Sequence, residues 1–244
     1  MRVGVYIDGY NLYYGGKKHC DPASHWKWLD IRALVSDVVS AQRIWPDAQI
    51  TRIVYCTARI DARLNANGHQ EQDVYLKALL ATGSVDWIEY GTYVSSVRAR
   101  PLAVRGQRPS DPPVVSRSQW PVMVQSHLGI PVPDAHFMVS TLHQEEKGSD
   151  VNVAVHMVSD VLERTVDAVV VVSNDSDLAL PVKKVRGHVP TGVVNPRGGR
   201  IAGDLAGRSH DGVGAHWWRN LSAEDFTSHQ LPDPANGFTR PEAW

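Results

Sequence analysis

Residues 167–177 read Asp-Ala-Val-Val-Val-Val-Ser-Asn-Asp-Ser-Asp, and this stretch decides the fold. Four consecutive β-branched residues without polar alternation describe a strand buried on both faces, as in a parallel sheet covered by helices on each side. The chain then passes at once into Asn174-Asp175-Ser176-Asp177, a polar turn at the carboxyl end of that strand. The N-terminus repeats the pattern: residues 3–7 are apolar and run into Asp8-Gly9-Tyr10-Asn11, which reads as a strand followed by a turn.

Working outward, helices and strands alternate. Residues 29–44 carry Ile31, Leu34, Val35, Val38 and Val39 on one helical face. Residues 50–56 predict a strand, 70–81 a helix stopped by Gly83, and 85–90 a third strand. Ser149 predicts a helix N-cap with Asp150 in the first turn, and Val151, Ala154, Val155, Val158, Val161 and Leu162 follow at helical spacing as the apolar face. Beyond residue 177 a helix to Arg186 and a strand at 188–194 complete the pattern. Such alternation gives an α/β fold with a central parallel sheet and right-handed crossovers. Ligands bind such sheets beyond the carboxyl ends of the strands, where strand order reverses. Asp8 and Asp175 to Asp177 become neighbours there if their two strands are adjacent.

Two segments interrupt the alternation. Residues 92–145 hold seven prolines and the arginines Arg98, Arg100, Arg105, Arg108 and Arg117. That proline density opposes regular helix, and residues 136–142 predict a strand that closes the insertion. The last stretch is Gly-rich and irregular, with Trp217-Trp218 and a Pro-rich end. The expected organisation is a domain over 1–195, with 92–145 inserted, and a C-terminal extension over 196–244 packing on it.

The totals narrow the function classes. A chain of 244 residues with 43% hydrophobic content supports one α/β core without disulfides. Cys20 and Cys56 could pair, but the plainer reading is two lone thiols in a reducing cytoplasm. No apolar run resembles a signal peptide, and none approaches the roughly 20 residues that span a bilayer. A net charge of −1 gives no global attraction to nucleic acid, so any such surface is local. The eleven histidines show no zinc-ligand spacing.

Four carboxylates occupy special places: Asp8, Asp150, Asp175 and Asp177. Singly, each has a plainer role, as a turn residue, a helix-dipole partner or a cap. Gathered together they repel, and a hard divalent cation such as Mg²⁺ removes that cost. A cation so held assists attack on a phosphodiester. Asn11 would be a neutral ligand or phosphate contact. Ser173 and Asn174 could present donors to the site, and Lys147 could reach a scissile phosphate. The insertion arginines, Arg98, Arg100 and Arg105 among them, are candidates for gripping a nucleic-acid backbone. A solubilising or dimerising loop is the alternative, which leaves a homodimer open. Tyr10, Tyr13, Tyr14 and Tyr93 could stack on unpaired bases or serve as partial core.

At these residues the chain resembles the NYN-domain family of PIN-like nucleases. The matching pieces are VYIDGYNLYY at 5–14, EEKGSDVNVAVHMVSD at 145–160 and VVVVSNDSDLALPVKKVR at 169–186, with QEQDVYLKALL at 70–80 in support. The resemblance covers about residues 1–195. It implies a three-layer α/β/α PIN-like fold, dependence on Mg²⁺ or Mn²⁺, and ribonuclease activity. By position it implies Asp8, Asp150 and Asp175 as metal ligands, supported by Asp177. Three rivals remain in view: a phosphohydrolase of small esters, a non-catalytic RNA-binding or regulatory module of the same fold, and a nucleotide-dependent oxidoreductase. For the last, Pro196-Arg-Gly-Gly-Arg-Ile-Ala-Gly203 lacks G-x-G-x-x-G spacing, and Asp8 would repel a pyrophosphate after the first strand.

Overall fold

A computed structural model describes residues 1–108, 110–119, 122–242 and 244, with the backbone alone at 204. In chain order the elements are β1 (Arg2–Asp8), α1 (Gly9–His19), α2 (Ile31–Ser40), β2 (Gln49–Ala58), α3 (Ala66–Ala81), β3 (Trp87–Pro101), β4 (Ala103–Val104), β5 (Val114–Val115) and β6 (Met138–Lys147). They continue as α4 (Ser149–Leu162), β7 (Ala168–Val172), α5 (Ala179–Val185), β8 (Thr191–Asn195), α6 (Gly203–Ala206), β9 (Trp217–Asn220) and α7 (Ala223–Thr227). Short 3-10 turns lie at Pro22–Ser24 and Ser176–Leu178.

Seven strands form one sheet in the order β6-β3-β2-β1-β7-β8-β9. Every pair from β3 to β9 is parallel. Connections leave β1 in one direction toward β2 and β3, and in the other toward β7 and β8. The strand order therefore reverses between β1 and β7, the place where α/β sheets present a crevice.

Side-chain alternation sorts the core into two layers, one on each face of the sheet. Val3, Val5 and Ile7 of β1 and Ala168, Val170 and Val172 of β7 join the core under α2 and α3. Tyr6, Val169 and Val171 point the other way, to Val153, Met157 and Val161 of α4 and to Val182 and Val185 of α5. The fold is the expected three-layer α/β/α arrangement around a mostly parallel sheet.

The chain divides into two compact units, Met1–Tyr93 with Glu146–Trp244, and Val94–Glu145. Within the smaller unit β4 and β5 pair antiparallel, and Arg98 and Arg117 form ion pairs with Glu145 at 3.0 Å and Asp134 at 3.1 Å. No helix lies in it among the described residues.

Four local expectations need correction. The turn expected at Asp8 to Asn11 is instead the start of an eleven-residue helix, α1. Its tyrosines and paired glycines, Gly15 and Gly16, are poor helix formers, so local propensity hid it. The expected N-cap Ser149 is the first helical residue; the cap is Gly148, left-handed at φ 95°, and the Ser149 hydroxyl donates to Glu146. On α4 the buried positions are Ser149, Val153, Met157, Asp160 and Val161, whereas Val151 and Leu162 are 63% and 66% exposed. Valines occur on both sides of this helix, and a buried polar pair decides between them: Asp160 accepts from the Tyr6 hydroxyl at 2.8 Å and meets Arg52 at 2.9 Å. Finally, the extension after residue 196 is mostly irregular but also supplies β9, a four-residue edge strand parallel to β8 and too short to show as a pattern.

Candidate metal centre

The carboxyl ends of β1 and β7 are joined by a chain of side-chain hydrogen bonds. Register sets it up, because Ile7 pairs with Val172 and brings Asp8 level with Ser173. Asp8 is 1% exposed and caps α1: its Oδ1 accepts from the Asn11 backbone N–H at 2.9 Å. Its Oδ2 accepts from Asn11 Nδ2 at 2.7 Å and from Ser173 Oγ at 2.8 Å. Ser173 Oγ accepts in turn from the Asp175 N–H at 3.0 Å. Asp175 caps the Ser176–Leu178 turn by accepting from the Asp177 N–H at 3.0 Å. Asn174 donates its N–H to Asn11 Oδ1 at 3.4 Å, and its side chain holds the following loop through Ala202 N–H at 2.8 Å and Arg200 C=O at 3.3 Å.

Above this base the start of α4 delivers Asp150. Carboxylate oxygens of Asp150, Asp175 and Asp177 all lie within 4.8 Å of one another. Asp150 and Asp175 are half-buried and Asp177 is exposed. Burial, then the charges of Asp8, Asp175, Glu146 and Asp177, push the Asp150 carboxyl up to about 7. Burial also raises Asp8, opposed by the hydrogen bonds from Asn11 and Ser173 that stabilise its charged form. Glu146 is raised by burial and by Asp8, against the hydrogen bond from Ser149.

These donors suit a hard divalent cation. All three are carboxylate oxygens, the chemistry that selects Mg²⁺ or Mn²⁺ over softer ions. Opposite ligands of Mg²⁺ stand roughly 4 Å apart, so a spread of up to 4.8 Å slightly exceeds one shared sphere and the carboxylates would have to draw in on an ion.

The expected site residues thus separate. The gathered set is Asp150, Asp175 and Asp177, which includes two of the expected Asp8, Asp150 and Asp175, while Asp8 interacts through its charge with both Asp150 and Asp175. Asp8 lies beneath with three of its roughly four acceptor positions already used. Asn11 and Ser173 are buried and direct their polar atoms to Asp8 and the 173–175 backbone, an arrangement that positions the acids. Asn174 likewise holds the 200–202 loop. Lys147 ends β6, exposed and one residue before the Gly148 cap. Tyr10 is exposed on the first turn of α1. Arg98, Arg100 and Arg105 are exposed within the smaller unit, with Arg98 paired to Glu145. Glu146 was missed by sequence reasoning. Its signal was an acid four residues before Asp150, passed over because it follows the insertion directly.

The family model described as NYN domain matches residues 2–194. The chain is also 29% identical, over 266 aligned residues, to 6-hydroxy-3-succinoylpyridine 3-monooxygenase HspA of Pseudomonas putida (strain DSM 28022 / S16). That alignment spans 100% of this chain and 75% of the relative. No solved structure matches the chain. Among the described residues, no helix is long and apolar enough to cross a membrane.

Proposed function

The chain belongs to the NYN-domain family, and from that premise we propose that it is a metal-dependent nuclease hydrolysing phosphodiester bonds in RNA. The observation that carries the proposal is the convergence of Asp150, Asp175 and Asp177, from α4 and from the turn after β7, beside the β1–β7 junction where the strand order reverses.

In this reading Asp150, Asp175 and Asp177 hold Mg²⁺ or Mn²⁺. When bound, such an ion neutralises the carboxylates and stabilises the negative charge that develops on a phosphodiester under attack. The remaining roles belong to the chain. Asp8 is the buried floor of the site, its carboxyl raised by burial and partly offset by the hydrogen bonds from Asn11 and Ser173, with one acceptor position of Oδ1 not taken by these bonds. Asn174 fixes the 200–202 loop that borders the acids. Burial and its acidic neighbours raise the Asp150 carboxyl to about 7, so an ion held there would compete with a proton near neutrality.

The test is incubation with labelled single-stranded RNA, single-stranded DNA and duplex DNA, with Mg²⁺, Mn²⁺ or EDTA. RNA is cleaved with either metal and not with EDTA. Asp175→Asn and Asp150→Asn lower the rate by roughly 100-fold or more. Both variants stay folded, since asparagine still caps the turn at 175 and relieves repulsion at 150. Cleavage at the parent rate by either variant rejects the assignment, and cleavage of mononucleotide esters alone favours a small-ester phosphohydrolase. RNA binding without turnover favours a regulatory module.

A second reading, an aromatic-ring monooxygenase, is favoured by the alignment to HspA along the whole chain. Oxygen uptake that depends on 6-hydroxy-3-succinoylpyridine and an added reductant, with no RNA cleavage, would replace the nuclease reading with that one.

A further inference from the structure

The exposed face of α1 carries an arrangement that the catalytic reading does not use. Tyr10, Tyr13 and Tyr14 are 38%, 40% and 38% exposed, on a helix whose first residue follows Asp8 directly. The Tyr10 and Tyr14 rings lie 4.5 Å apart, and Tyr13 meets the Tyr14 edge at 5.4 Å. Two cations lie over the same ring at the outer range of cation–π contact: Lys17 Nζ is 5.6 Å and Arg197 Cζ 6.0 Å from the Tyr14 centroid.

Tyrosine is intermediate in burial, and these three leave about two-fifths of their surface to solvent while packing on one another. The protein also builds the frame that keeps them there. Gly15 lets α1 approach the 196–200 loop at backbone distance, since a Cβ at residue 15 would stand 2.3 Å from the Pro196 carbonyl oxygen. Lys18 Nζ donates to the Arg197 carbonyl at 2.9 Å, and Tyr13 rests on Trp26 at 5.3 Å. The Arg197 Nε is buried and makes no hydrogen bond among the described residues. Aromatic faces beside cations, running away from an acidic centre, are complementary to a chain of planar bases joined by phosphates. A duplex hides its base faces and could use only the cations.

We propose that Tyr10 and Tyr14, flanked by Lys17 and Arg197, form a stacking platform for an unpaired nucleobase of a single-stranded RNA, adjoining the acidic centre. The proposal rests on the nuclease reading for the identity of the polymer. It assigns the grip on substrate to α1 and the 196–200 loop, within the same compact unit as the acids. Tyr14 offers its ring, and Lys17 and Arg197 offer charge to the neighbouring phosphates.

The experiment is fluorescence anisotropy in EDTA with a labelled single-stranded RNA of about 12 nucleotides, within the range such surfaces cover. A duplex RNA of equal length is the control. The parent binds the single strand more tightly than the duplex. Tyr14→Ala and Tyr10→Ala each weaken single-strand binding by about tenfold and leave duplex binding unchanged, whereas Tyr14→Phe keeps the parent affinity. Lys17→Ala and Arg197→Gln weaken both and flatten the salt dependence. The Phe variant separates loss of the ring from loss of folding. Parent affinity in both Ala variants, equal affinity for the two RNAs, or no binding by the parent overturns the platform. Ring-dependent binding without cleavage in Mg²⁺ or Mn²⁺ keeps the platform and removes the nuclease reading. Cleavage with no ring dependence of binding does the reverse.

Discussion

Ser173 stands between two acids, fully buried, donating to Asp8 and accepting from the Asp175 N–H. Its hydroxyl therefore sets the geometry at both strand ends while touching nothing outside. Replacing it by alanine leaves a buried carboxylate with one donor fewer and orphans a backbone N–H, a loss of about 1–3 kcal/mol. Chemical denaturation of Ser173→Ala should show a lower midpoint with an unchanged slope, and an unchanged midpoint would mean the network is dispensable. The sequence made Asp8, Asp150, Asp175 and Asp177 legible because each follows an apolar strand or opens a patterned helix. It could not show which of them gather and which lies beneath. That outcome depends on one hydroxyl and one amide, Ser173 and Asn11, whose buried bonds leave no periodic trace. Arg98 shows the same limit: its charge is plain in the chain, but its partner Glu145 lies 47 residues away.

At the scale of elements, α1 is where local rules and tertiary demands part. Glycine inside a helix costs roughly 0.5–1 kcal/mol relative to alanine, so Gly15→Ala ought to stabilise an isolated α1 by that amount. In the protein the added methyl would meet the Pro196 carbonyl at 2.3 Å, a backbone atom that has no rotamer to change. Overpacking of this kind costs about 1–3 kcal/mol, enough to exceed the propensity gain. Gly15→Ala is therefore expected to lower the thermal midpoint, and a raised one would show that the 196–200 loop yields easily. This conflict also explains the reading of Asp8 to Asn11 as a turn. The strands were legible wherever both faces are apolar, as in β1, β2, β7 and β8. Helix α4 was legible as a helix, but Val151, Val155 and Leu162 lie outward and gave its periodicity two answers. Strand β9 pairs only at an edge and is announced by nothing but Trp217-Trp218.

Over the whole molecule, the acidic centre makes the ion-free protein sensitive to pH in an unusual direction. The Asp150 carboxyl stands at about 7 in the folded chain, raised first by burial and then by its acidic neighbours, against about 4 in an unfolded one. Between those values the folded state keeps a proton that the unfolded state has released. Stability is then highest near the lower value, declines as pH rises through the window and levels off above it. Asp8 and Glu146 are shifted in the same direction and add to the decline. Asp61 and Asp167 act oppositely: hydrogen bonds from Arg63 and Arg2 hold them near 2, so their contribution is lost only in acid below the window. In EDTA the thermal midpoint should accordingly fall between about pH 4 and about pH 7. Excess Mg²⁺ or Mn²⁺ should raise the midpoint more at the upper end than at the lower, where protons compete for the same oxygens. Asp150→Asn should flatten the decline and shrink the response to metal, because one substitution removes both the proton site and a ligand. A midpoint in EDTA that climbs steadily across this range would mean that the carboxylates are not crowded in solution.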